Sequence, residues 1–137
     1  SYFSMAVNRG LTIQFAFQYT DQNRQKLQKY DNADDLLKYL KKQNILEKFA
    51  QFAESKGIKR RNLMMYKSRE LFNRNLYGNI IYNMLNMEEY LKFLNQSDPT
   101  VQKALEVLKA GDSFPQAPEQ ISEEANEGTE KTIAKAN

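Results

Sequence analysis

Apolar residues recurring every third or fourth position, with charge between them, constrain this chain more than any other feature, because that period buries one face of a helix and cannot line a strand. Phe3, Val7, Leu11 and Phe15 step by four, and Phe17 and Tyr19 widen the stripe. The spacing predicts a helix from Tyr2 through Tyr19 and on toward Leu27, with Gly10 inside it as a close packing contact. Asp31 and Asn32 offer a cap, Asp34 and Asp35 complement the helix dipole, and Leu36, Leu37 and Leu40 form the next stripe. The pattern resumes at Ile45, Leu46, Phe49, Phe52 and Ala53 and stops at Ser55-Lys56-Gly57, where glycine suits a left-handed cap.

After Lys59-Arg60-Arg61, residues Leu63, Met64, Leu71, Leu76 and Ile80 predict a long helix through Ser68 and Arg74, with Gly78 as its bend or break. Ile81, Met84, Leu85, Tyr90, Leu91 and Leu94 predict another, ending near Asn95. Asp98 as N-cap and Pro99 at the first helical position open a last helix with Val101, Ala104, Leu105 and Leu108 on its stripe, closed by Gly111. The expected fold is all-α: about five helices in one domain over residues 1–110, then a flexible, disordered acidic tail over residues 111–137, where Pro115, Pro118 and scattered Glu give no apolar face.

The chain has no histidine and no cysteine, which removes the imidazole base, the thiolate nucleophile, disulfides and the usual zinc ligands. Ser55 and Ser68 sit beside Lys56 and Lys67 on predicted helices, and helix neighbours point in different directions, so neither makes a Ser/Lys pair. Asp34/Asp35 read as dipole complement, Glu88/Glu89 as an exposed face and Glu123/Glu124 as tail solvation. No catalytic residue, metal ligand or cofactor site is expected, and no apolar run is long enough to span a membrane. Opening at Ser1 without a signal pattern, the sequence reads as a piece of a longer chain.

Charge is split. Residues 1–110 hold 18 Lys+Arg against 11 Asp+Glu, and residues 111–137 hold 2 against 6. The candidate interaction surface is Lys59, Arg60, Arg61, Tyr66, Arg69, Arg74, Tyr77 and Tyr82. Read electrostatically it is a nucleic-acid site, the alternative of a basic helical nucleic-acid-binding domain. Read by residue type, its Tyr and Arg together with Met64, Met65, Met84, Met87 and Tyr90 exceed what one stripe can bury and suit a protein interface, which leaves nucleic acid the lesser reading.

The segments Val7-Asn8-Arg9-Gly10, Phe15-Ala16-Phe17-Gln18-Tyr19, Asp21-Gln22-Asn23-Arg24, Gly57-Ile58-Lys59-Arg60-Arg61 and Asp98-Pro99-Thr100-Val101-Gln102-Lys103-Ala104 resemble, in this order, the C-terminal region of bacterial C-terminal processing peptidases, the tail-specific proteases. The resemblance implies a periplasmic or cell-envelope parent chain, a serine endopeptidase whose PDZ domain and Ser/Lys dyad lie upstream. No position here matches that dyad, so the resemblance implies a non-catalytic helical domain. Its partners would be the protease core of the parent chain, protein substrates or a second copy of itself.

Cutting the chain after Ala110 is expected to leave the helical core folded, because the tail has no stripe with which to dock. Thermal melts of the two forms check this, and a loss of several degrees would place the tail in the fold.

Overall fold

A computed structural model describes residues 1–96, 103 and 106–111. Within residues 1–96 seven helices follow one another: α1 (Tyr2–Asn8), α2 (Leu11–Leu27), α3 (Ala33–Leu40), α4 (Ile45–Ser55), α5 (Asn62–Lys67), α6 (Arg69–Met84) and α7 (Met87–Leu94). The all-α class stands, with more and shorter helices than about five. The last predicted helix is helical at 106–109, while its capping residues Asp98 and Pro99, and the acidic tail from 112 onward, lie outside the described residues.

The extra breaks have local causes. Gly10 adopts φ +70°, a left-handed conformation that ends α1, and nothing lies within 4 Å of where its Cβ would stand. It is therefore a conformational glycine and not the packing contact expected. Gly78 is the reverse: it sits within α6 without breaking it, and a Cβ there would meet the Phe93 ring of α7 at 3.2 Å. The predicted long helix stops at Ser68, and Leu85 turns extended so that Asn86 caps α7, its side chain accepting from the Glu89 N–H at 2.9 Å. Asn32 does the same for α3, accepting from the Asp35 N–H at 2.9 Å.

The core is one cluster drawn from all seven helices, with α2 and α6 its most extensive pair. Aromatic rings run through it: Phe72 of α6 lies 5.6 Å from Tyr2, 4.9 Å from Phe3 and 5.5 Å from Phe49, and Phe49 lies 5.6 Å from Phe15. Thr20 and Thr12 are buried on α2, and Asn83 donates to the Thr20 hydroxyl at 3.3 Å, tying the second halves of α2 and α6. Asn23 interrupts α2, its side chain donating to the Tyr19 carbonyl at 2.9 Å.

Glu89 departs from the exposed-face expectation. Its side chain is only 15% exposed, and Oε2 accepts the Ala33 N–H, the first of α3, at 2.8 Å. Lys92 donates to its other oxygen at 3.1 Å. The backbone N–H, followed by Lys92, holds the Glu89 carboxyl below its ordinary pKa. One carboxylate thus caps a helix 56 residues away in sequence and docks α7 on α3.

Two stability predictions follow from these geometries. Gly10→Ala should destabilise by about 1–2 kcal/mol because of its left-handed φ, whereas in an unbroken helix the same change would stabilise by about 1 kcal/mol; the sign of the shift in urea midpoint decides. Glu89→Ala should cost about 1 kcal/mol, roughly 4–8 °C in Tm. Because the folded pKa is depressed, that contribution is complete above the unfolded carboxylate value of about 4.3 and vanishes as pH falls through the lower folded value. Melts of both proteins from neutral pH to about pH 3 should therefore converge on acidification.

Candidate functional site

The basic segment does not assemble into one site. Arg60 forms a two-pronged ion pair with Glu47 of α4, Nη1 to Oε1 at 2.7 Å and Nη2 to Oε2, and its Nε donates to Asn62 at 2.6 Å. The pair holds the Glu47 carboxyl below its usual pKa and raises that of Arg60. Arg60 is a clasp between α4 and the loop before α5. Arg69 stacks 4.1 Å from the Tyr66 ring centre and donates to the Tyr66 carbonyl at 3.0 Å. Arg74 donates to the Leu94 carbonyl at 3.2 Å, a cation at the C-terminal end of α7 where the dipole favours it. Lys59 is exposed, and Arg61 is exposed beside Tyr2, Asn8 and Arg9.

Of the aromatic members, Tyr66 and Tyr82 are exposed, while Tyr77 is half-buried, its pKa raised by that burial. Tyr82 stands edge-on to Tyr90 of α7 at 5.2 Å. The structure thus divides the eight candidates among the start of α5, the α5–α6 turn and two sides of α6.

What it does assemble is an apolar face that the sequence reading only grazed. A groove where α1, α2, α6 and α7 meet is lined by Phe3, Val7, Ile13, Leu71, Tyr90 and Leu94. Arg74 is its one charged lining residue, and the other α6 positions, Asn75, Gly78 and Asn79, continue the same helix stripe to Tyr82. Ile13 is 62% exposed, Phe17 one turn on is 63%, and Leu71 and Tyr82 are each 55%. Phe17 and Leu71 had been assigned to buried stripes, and Ile13 to none. Periodicity finds apolar residues but not whether a neighbour covers them. Leu63 and Met64 are likewise exposed, and Met65 turns inward in their place.

The Ser55 hydroxyl donates to the Phe52 carbonyl at 2.6 Å, and among the described residues no three acidic side chains converge to hold a metal ion. No helix among them is long and apolar enough to cross a membrane.

Neither functionally described proteins nor solved structures return a match. A comparison with protein families does, over residues 2–86, which carry α1 through α6 and well over half of the sequence. The chain therefore belongs to a family of unknown function, DUF8443.

Proposed function

We propose that this is a non-catalytic helical interaction domain that docks on protein through the α2–α6–α7 face. The observation that carries the reading is uncovered apolar area there: Ile13 and Leu71, both more than half exposed, line a groove with one charged lining residue, and Phe17 and Tyr82, as exposed, lie further along α2 and α6. Water contact with such side chains costs about 25 cal/mol per Å², and contiguous patches of this kind mark interfaces. Charge is sparse at the groove, while Tyr and Leu sit beside the carboxamides of Asn75 and Asn79, a composition suited to a desolvated interface core.

The partner we propose is the protease core of a C-terminal processing peptidase, with the domain in a non-catalytic, structural role. This partner comes from the sequence resemblance alone. Within the described residues several motif positions fall on a helix break at Gly10, the core residues Phe15, Ala16 and Tyr19, and the end of α4 at Gly57, and none supplies a catalytic group.

The nucleic-acid reading is weaker. Arg60 is paired with Glu47, Arg69 lies on Tyr66 and Arg74 lies on the end of α7, so the cations point to different local partners instead of tracking a phosphate backbone.

Leu71→Glu, at an exposed position, should leave the thermal melt within about 0.5 kcal/mol of wild type, and Tyr82→Ala, which loses its edge contact with Tyr90, should cost no more than about 1.5 kcal/mol. Each should weaken a complex with the core at least about tenfold in calorimetry. Lys59→Glu combined with Arg61→Glu should leave that complex nearly unchanged. If the double charge reversal instead abolishes a salt-sensitive complex with DNA or RNA while the Leu71 variant changes nothing, the docking reading fails.

A further inference from the structure

We propose a second binding site, a groove between α2 and α4 that takes an extended polypeptide segment by its main chain; the proposal rests on the reading of the domain as a protein-binding one, but on a different surface. Gln18 and Gln22 of α2 form one wall, Gln51 and Lys48 of α4 the other, and Tyr19 and Phe52 part of the floor. Asn23, where α2 departs from helical geometry, closes one end.

Three features select the ligand. Each carboxamide carries donors and an acceptor, the complement of a peptide unit, which offers one N–H and one C=O. Gln18 and Gln22, one turn apart, stand about 6 Å apart along the helix, and an extended chain repeats its same-side groups every two residues, about 6.6–6.8 Å. The two repeats match over a short stretch; a helical ligand would also repeat at about 6 Å, but its N–H and C=O groups already pair with one another and are not free to meet the carboxamides. Finally, the groove is lined by no carboxylate: Asp21, beside Gln22, is paired with Arg24, while Glu47, beside Lys48, is held by Arg60 and accepts from the Gln51 carboxamide at 3.4 Å; the Lys48 ammonium, 5.6 Å from the Tyr19 ring centre, is the one charged lining residue over an aromatic floor. Burial pushes the Tyr19 hydroxyl up to about 12, so the floor carries no negative charge at neutral pH. The occupant is an unfolded strand with an apolar side chain on Phe52 and a neutral or acidic one toward Lys48.

The test uses the whole 137-residue chain and a fluorescein-labelled peptide of about eight residues alternating valine, threonine and one aspartate, long enough to span about 25 Å. A companion peptide carries N-methyl groups on alternate amides. Anisotropy should give a Kd below about 1 mM for the first, at least about tenfold weaker binding for the N-methylated peptide, and about tenfold weaker binding for Gln18→Ala combined with Gln22→Ala. Both substitutions are helix-compatible and exposed, and a circular dichroism melt verifies the fold. Equal affinity of the two peptides, or indifference to the double substitution, overturns main-chain recognition. No binding up to about 1 mM, in a preparation whose Leu71-dependent complex still forms, overturns the groove and leaves the docking face standing. Gln-dependent peptide binding with no Leu71-dependent complex supports the groove and removes the docking face.

Discussion

The rest of the structure hangs on the ring of Phe72. It is fully buried in α6, it touches Tyr2 and Phe3 of α1 and Phe49 of α4, and Phe49 passes the contact to Phe15 of α2. Four helices are thereby fixed by residues far apart in sequence, none of which is a neighbour that helix formation alone would bring together. Truncating a buried phenylalanine costs about 3–5 kcal/mol in general, a large part of the 5–15 kcal/mol that holds a whole domain. Helices of six to eight residues such as α1, α3, α5 and α7 do not persist alone in water, so they exist here because this cluster and its surroundings give them something to pack on.

Once the large helices are placed, the short ones are held by their ends. Glu89 of α7 caps the start of α3, Arg74 of α6 takes the end of α7, and Phe93 of α7 lies on Gly78 of α6. These contacts set the outer surface as much as the stability, since they carry Tyr90 and Leu94 to the rim of the apolar groove and set Tyr90 against Tyr82. A polar cap and a missing Cβ thus determine where apolar side chains face water.

Helix class, the end of α4 at Gly57 and the cap of α3 at Asn32 were legible because each is decided by residues within one turn. The two glycines were read the wrong way round for the same reason. Gly10 and Gly78 both stand inside apolar periodicity, and only the tertiary partner, empty space for one and Phe93 for the other, separates a turn from a packing site. Glu89 and Arg60 escaped similarly, as their partners Ala33 and Glu47 lie 56 and 13 residues away. Basic residues clustered in sequence suggested one surface, yet each arginine with a described partner answers to a different local acceptor, and a net positive charge summed over the chain says nothing about convergence.

The candidate surfaces were hidden by the geometry of α2. At about 100° per residue, Ile13 and Phe17 lie within about 40° of one another, and Gln18 and Gln22 lie about 140° further round. Between them on the inner side run Leu11, Thr12, Phe15, Ala16, Tyr19 and Thr20, all buried. The helix is wedged between α6 on one side and α4 on the other, and each seam ends in a rim: an apolar rim toward α6 and a carboxamide rim toward α4. Two apolar residues outside the buried arc and two threonines inside it blur the amphipathic signal of the helix, so the sequence reading assigned Phe17 to the core. The same blurring is what a helix with one buried face and two dissimilar rims must produce, and it marks α2 as the element on which both proposed surfaces depend.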